Sequence, residues 1–335
     1  MEDLSCAGVV TLEAPAGHAW KEDVVGILEV LGAYHPGKAD YGLVKPLASR
    51  ANLLEVRKHL HAASPRLQEF SEKVRQQLVQ SVAAYIPSLG FETFDVNTRA
   101  LLTYALSVCM GNPTATDTKR VIWDVKAAQR GSTYFSTFSE TDREAAFHTD
   151  TQYYPDPEPL FFLYCMRPAR CFGGMSSICD ARALRSDIEK SDRWIADVLS
   201  HTPLPFRVPS AFVTSGDPDE IEATLAPVFA ATPYIRYRKD TLAEGLEHFP
   251  EYGSKDVRRA LEAFEERLEV CPHMVEFFMP VDGLVVVDNH RALHARTSFQ
   301  DSERHLLRIR VNEDNPIAQK PQHRMVSRSR EGLAF

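Results

Sequence analysis

The sequence contains no run approaching the ~18 consecutive apolar residues that a bilayer-spanning helix requires, so no transmembrane segment is expected. It also lacks a basic excess. Its 38 lysines and arginines stand against 46 aspartates and glutamates, a net charge of -8, whereas a duplex-binding surface needs a clustered cationic face. Nucleic acid is therefore not an expected partner. The one basic stretch, from Lys320 through Arg324 to Arg328 and Arg330, is interspersed with Gln, Ser and Pro and reads as a loose tail. Cysteine is sparse as well. Cys6, Cys109, Cys165, Cys171, Cys179 and Cys271 include no Cys-x-x-Cys pair, which argues against a thiolate zinc site. Free thiols are the expected state, with Cys165, Cys171 and Cys179 near enough in sequence to gather in space. Met1 to Gly17 shows acidic residues and short apolar runs rather than a basic start followed by a hydrophobic stretch, so a cytoplasmic location is expected. There is no internal repeat and no low-complexity block.

What is present is ordinary globular composition. The 335 residues are 44% hydrophobic, enough to bury a large core, and one β-rich enzyme domain with long insertions reaches this length. Residues 1–118 read as a mostly helical N-terminal region. Apolar spacings of three and four recur over Lys21 to Leu31, Ala51 to Leu60, Pro65 to Tyr85 and Asn97 to Met110, the last stopped by Gly111-Asn112-Pro113. The pattern then changes. Val121 to Val125, Leu160 to Met166, Met175 to Cys179, Tyr234 to Tyr237, Met274 to Phe278, Leu284 to Val287 and Leu306 to Val311 are strand-like. Ala181 to Leu199 and Lys255 to Val270 read as helices inside an insertion of about 181–270. Short strands without a βαβ rhythm predict a mainly β fold with helical decoration, a jelly-roll core over 119–312 and a polar tail over 313–335.

The chemistry concentrates in Phe147-His148-Thr149-Asp150-Thr151-Gln152. On an extended strand residues two apart share a face, so His148 and Asp150 project together and can chelate one metal. A third ligand is offered by Val285-Val286-Val287-Asp288-Asn289-His290-Arg291-Ala292-Leu293-His294, through His294. Two histidines and one carboxylate leave three coordination positions open, the donor set of iron(II) oxygenases that take a bidentate co-substrate and dioxygen. Farther on, Arg308 and Arg310 share one face of the strand Leu306 to Arg310. A guanidinium is suited to a two-pronged, charge-assisted grip on a buried carboxylate. Two other readings stay open. His290 and His294 are four apart, the spacing of a helical zinc hydrolase pair, although Arg291 stands where such a motif carries its general base. A non-catalytic jelly roll that binds a ligand is the other.

Together these pieces resemble the taurine dioxygenase and clavaminate synthase-like superfamily of iron(II)/2-oxoglutarate-dependent dioxygenases. The matching pieces are His148-Thr149-Asp150, Gly173-Gly174-Met175-Ser176, and Asp288-Asn289-x-Arg291-x-x-His294 with Arg308 fourteen residues on. The resemblance runs from about Trp123 to Val311. It implies a double-stranded β-helix, iron(II) held by His148, Asp150 and His294, 2-oxoglutarate as co-substrate and dioxygen as oxidant. It sets Arg308 on the distal carboxylate of 2-oxoglutarate, and Ser176 where many members place a threonine that also touches it. Members that halogenate lack the carboxylate that Asp150 supplies here, which argues against halogenation. The implied reaction is hydroxylation, or desaturation, of an unactivated C–H bond. The implied substrate is a small molecule, amino-acid-like and free or attached to a carrier protein. Gln152, Arg310, Arg130 and Tyr134 are the candidates for holding it, with Tyr153, Tyr154 and Arg296 nearby.

Overall fold

The computed structural model describes residues 4–35, 40–115, 120–127, 141–213, 217, 219–313 and 324–329. A short strand, β1 (Val9–Thr11), leads into three helices, α1 (Gly17–Tyr34), α2 (Arg50–Ala63) and α3 (Pro65–Gln80). Ser49 and Ser64 cap the second and third by accepting from the Asn52 and Leu67 amides. Pro65 stands in the first turn, where its missing N–H removes no bond. The apolar periodicity runs on to Tyr85, but α3 ends at Gln80. Residues Ala83–Ile86 are instead β2, paired with β1 on one side and with a later strand on the other. A strand covered on both sides carries the same continuous apolar run as a buried helix, which is why the two were not separable by pattern. Asp95 caps α4 (Val96–Met110), which is buried over nearly its whole length. It stops at Gly111, where a side chain would collide with Val311 and Asn312.

Five strands follow: β3 (Asn112–Pro113), β4 (Trp123–Val125), β5 (Ala145–His148), β6 (Leu160–Arg167) and β7 (Ser176–Asp180). The region 181–270 holds α5 (Ala181–Ser191), α6 (Arg193–His201), β8 (Leu204–Arg207), β9 (Glu220–Ala226), α7 (Lys239–His248) and α8 (Lys255–Glu269). The single helix expected from Ala181 to Leu199 breaks at Asp192, whose φ of -143° and ψ of 59° lie outside the helical region. The segment Tyr234 to Tyr237 joins no ladder; it makes one isolated bridge, Ile235 with Phe229, and the next residue, Arg238, makes another with His148. The chain then forms β10 (Met274–Phe277), β11 (Leu284–Asp288), β12 (Ala292–Arg296), β13 (His305–Asn312) and β14 (Arg324–Ser329). The last corrects the loose-tail expectation, because Arg324–Ser329 pairs antiparallel along β9. Arg328 lies over the Phe249 ring at 5.2 Å and donates to the His248 carbonyl at 2.9 Å. Its stem thus covers apolar surface while its head finds an acceptor. Lys320 and Arg330 lie outside the described residues.

The strands make a seven-stranded sheet, β1-β2-β11-β6-β13-β3 with β4 also on β13, a four-stranded sheet, β10-β7-β12-β5, and a three-stranded sheet, β14-β9-β8. Alternation along β6 and β13 divides the largest sheet into two faces. Phe162, Tyr164, Leu307, Ile309 and Val311 enter one cluster with α1 to α4, whereas Phe161, Cys165 and Leu306 pack with Ile178, Phe277 and Ala292 of the four-stranded sheet. The helices of 181–270 form a third cluster around Phe206, Phe229 and Phe264. The architecture is therefore β-sheets with helical decoration, and the site lies between the two larger sheets. No described helix is long and apolar enough to cross a membrane. No disulfide forms among the described residues; Cys165 is buried, Cys171 is exposed, and the Cys179 sulfur meets that of Cys271 at 3.6 Å.

Candidate metal centre

β12 runs antiparallel to β5 with His294 directly opposite His148, which sets the two imidazoles 4.1 Å apart, centroid to centroid. Asp150 lies just beyond the end of β5. Its carboxylate Oδ1 stands 3.7 Å from Nε2 of each histidine. The three donor atoms fall within 4.8 Å of one another, the one such His/Cys/Asp/Glu group among the described residues. Sequence separation of nearly 150 residues is thus closed by one register pair and one turn.

Asn289 fastens that turn. Its Oδ1 accepts from the Asp150 amide at 2.7 Å, and its Nδ2 donates to the carbonyls of Asp150 and Glu158 at 3.0 and 2.8 Å. Thr151 follows with φ at +51°, an uncommon conformation for a β-branched residue, and its hydroxyl donates to Glu158 at 2.7 Å. The strand therefore does not continue to Gln152, as its two-residue offset from Asp150 had suggested. Gln152 is buried, turned away from the ligand face, and its Nε2 donates to the Thr241 hydroxyl at 3.0 Å.

The donors fit a divalent cation. Nδ1 of His148 donates to the Ala146 carbonyl at 2.8 Å, which fixes the tautomer and leaves Nε2 as a lone-pair donor toward Asp150. Nδ1 of His294 is buried without a hydrogen-bond partner. Burial pushes His294 down to about 4, and burial together with the His294 charge holds His148 well below its ordinary value. Both rings are accordingly neutral at neutral pH. Burial alone would raise Asp150, but the Arg308 and Arg310 guanidiniums hold its carboxyl well below the usual carboxylate range. Nη1 of Arg308 and Nε of Arg310 each stand 3.1 Å from Asp150 Oδ2. Two neutral imidazoles and one carboxylate are the protein half of an octahedral N/O site with three positions left over.

These residues open into a cavity of about 460 Å³. Its lining includes Ser176, Arg308, Arg310 and Arg304. Arg304 was not singled out from the sequence, although it stands four residues before Arg308. Its guanidinium is buried, lies 4.9 Å over the Phe299 ring, and donates to the Gly174 carbonyl at 3.3 Å, while its Nη1 has no partner. Arg296 covers the same ring at 5.0 Å. Burial pushes both guanidiniums down to about 10. The lining also includes Tyr153 and Phe212 together with two ion pairs, Arg238 with Asp240 at 2.6 Å and Arg207 with Glu244. Neither pair announced itself in the sequence, because 181–270 carries no motif. Tyr154 donates to the Phe212 carbonyl at 3.5 Å. Arg130 and Tyr134 lie outside the described residues. The helical His290–His294 pair does not form, because His290 sits in the turn between β11 and β12 and donates to the Pro157 carbonyl at 2.9 Å.

A family model described as taurine catabolism dioxygenase TauD, TfdA family matches residues 44–310. No curated protein matches the chain significantly. Among solved structures, the non-heme iron oxygenase OrfP in complex with Fe, succinate and a dihydroxy-L-Arg aligns with a TM-score of 0.63 at 16% identity, covering 92% of this chain and 94% of that one. The same enzyme with Fe and alpha-ketoglutaric acid aligns at 0.59 and 15%, covering 91% and 94%. Asparagine oxygenase in complex with Fe(II), a hydroxyasparagine and succinate aligns at 0.59 and 16%, covering 91% and 93%.

Proposed function

We propose, from the premise that the chain belongs to the taurine catabolism dioxygenase TauD, TfdA family, that it is an iron(II)- and 2-oxoglutarate-dependent oxygenase. The observation that carries this reading is the convergence of His148, Asp150 and His294 in an arginine-lined cavity. The two larger sheets are read as the halves of a double-stranded β-helix, and the whole chain as one catalytic unit. Iron and 2-oxoglutarate would supply oxidative chemistry that turns dioxygen and 2-oxoglutarate into succinate, carbon dioxide and a hydroxylated or desaturated substrate.

The chain's own residues bind, orient and neutralise. His148, Asp150 and His294 would hold the metal. The resemblance sets Arg308 on the distal carboxylate of 2-oxoglutarate, but Arg308 is engaged with Asp150, whereas Arg304, which lines the same cavity, has a buried Nη1 without a partner among the described residues. A buried donor left unmade favours an incoming acceptor, so the distal carboxylate is assigned to Arg304, with Ser176 beside it. Arg308 and Arg310 are then the cations nearest the metal. They balance Asp150 and are placed to take an anionic group of the substrate.

The substrate is read as a small amino-acid-like molecule of specialised biosynthesis, free or carrier-bound. The structural neighbours were solved with hydroxylated arginine and asparagine. Here Arg308 and Arg310 stand beside Asp150, an arrangement that suits a substrate carboxylate, while the Asp240 and Glu244 carboxylates of the same cavity are paired with Arg238 and Arg207. No disulfide joins the cysteines among the described residues, which supports the reading of a reducing, cytoplasmic setting.

Anaerobic addition of Fe(II) and then 2-oxoglutarate tests the assignment. The expected outcome is a weak visible charge-transfer band that needs both additions and shifts when a substrate amino acid is supplied. Folded protein that gives no band would turn the assignment to a binding-only role.

A further inference from the structure

Of the three metal ligands Asp150 hangs from a turn, and that turn is gripped by a segment outside the sequence motifs. Ile235 donates its amide to the His290 carbonyl at 3.0 Å, Tyr237 accepts from the Thr149 amide at 2.8 Å, and Arg238 bridges to His148. Between them sits Arg236, about 1% exposed and among the largest fully buried side chains. Its Nη1 donates to the carbonyls of Gln152 and Tyr154 at 2.5 and 2.6 Å, and its Nη2 to that of Pro155 at 2.9 Å. The guanidinium lies 5.8 Å from the Phe206 ring centroid, and the Asp156 carboxylate favours its charge. Its hydrogen bonds go to backbone. The three carbonyls belong to the turn that begins at Thr151, whose left-handed φ directs the chain away directly after Asp150.

We propose that Arg236 is a positioning residue for the metal. By tying the carbonyls of residues 152, 154 and 155, it holds the Thr151 turn and so keeps the Asp150 carboxylate aimed at the two imidazoles. A planar guanidinium is suited to this, because its fixed fork reaches three acceptors at once, which an ammonium on a flexible stem does not. The neighbouring bonds of the same segment add to the effect, since Tyr237 fastens Thr149 and Arg238 fastens His148. The proposal rests on the reading of Asp150 as a metal ligand. Outer groups that orient a ligand in this way typically change metal affinity 10–100-fold.

The test is an anaerobic titration with Co(II) as a spectroscopic probe, read by calorimetry and by the ligand-field absorption of the bound ion. Wild type, Arg236→Met, Arg236→Lys, Asp150→Ala and a control, Leu199→Ala, are compared, with thermal midpoints for each. Leu199 is fully buried in the cluster that also contains Phe206, so its variant reports loss of packing alone. Arg236→Met is expected to bind Co(II) on the order of 10–100-fold more weakly with an altered spectrum, Arg236→Lys to fall between it and wild type, and Leu199→Ala to bind normally although its midpoint falls. Arg236 variants that bind with wild-type affinity, or lose no more affinity than Leu199→Ala, overturn the proposal. If Arg236→Met does not fold, the lysine variant decides by the same criterion. Wild-type binding by Asp150→Ala would instead overturn the metal-ligand reading itself, so the two failures are distinguishable.

Discussion

The two faces of the seven-stranded sheet are built by the same strands from opposite chemistry. On β13, Leu307, Ile309 and Val311 meet the N-terminal helices. Arg308 and Arg310, one residue out of phase, reach the cavity and Asp150. The helix face holds itself together by excluding water, and nothing there needs a partner from solution. The cavity face sets several buried guanidiniums against few carboxylates, which costs stability until counter-charges arrive. One strand therefore divides its residues between a task of stability and a task of binding, and substitutions one residue apart should separate the two.

The largest expected effect tests the apolar face. Leu307 is fully buried against the helices, and Leu307→Ala should cost about 2–5 kcal/mol through lost contacts and the cavity left behind. Thermal or denaturant unfolding would read that loss, while Co(II) affinity below the transition should stay within about two-fold, as expected of sites without shared partners. A large drop in metal affinity would mean that the faces are coupled through β13 and that the division fails.

The next effect tests the charged face. Arg304→Met should weaken 2-oxoglutarate binding by on the order of 10–100-fold, the size of a lost charge-assisted contact of about 1.5–3 kcal/mol. The midpoint of the ligand-free protein should stay the same or rise, because an unpaired buried guanidinium has been removed. Arg308→Met should fall chiefly on the metal, since it strips a partner from Asp150. Titration of both variants with 2-oxoglutarate ranks them, and the opposite order would return the distal carboxylate to Arg308.

The two faces were unequally legible. Leu160 to Met166 declared its strand, because a strand buried on both faces is an apolar run wherever the rest of the chain lies, and Leu306 to Val311 declared its own by the alternation of Leu307, Ile309 and Val311 with Arg308 and Arg310. His148, Asp150 and His294 were legible because the donor set and its order are specific. Arg304 and Arg236 were not. An arginine reads as solvent-exposed by default, and only the fold reveals that Arg304 lies under Phe299 or that Arg236 gathers three carbonyls. Asp240 and Glu244 were hidden for another reason, since they reach the cavity from a region with no periodic tie to the motif. Gln152 was misdirected by the assumption that β5 runs straight, which the positive φ of Thr151 prevents.

The smallest expected effect lies where the faces meet. Asp124 on β4 accepts from the Tyr41 hydroxyl of the N-terminal region at 2.8 Å and pairs with His305 Nε2 at 2.6 Å, one residue beyond Arg304. Burial would raise its carboxyl, but the hydrogen bonds from His305 and Tyr41 outweigh it and set it below the ordinary carboxylate value. A carboxyl lowered in the folded state binds its proton more readily when unfolded. Its contribution is therefore fully present above the unfolded value of ~3.9 and is lost as pH falls through the lower folded value. The group is partly exposed, so the contribution should stay under about 1 kcal/mol. Thermal midpoints of wild type and Asp124→Asn, taken in parallel from pH ~7 to ~3, should differ near neutrality and converge at the acid end. A gap that stays constant across that range would show that ionisation of the carboxyl contributes nothing to stability. The junction would then be a matter of shape rather than of charge.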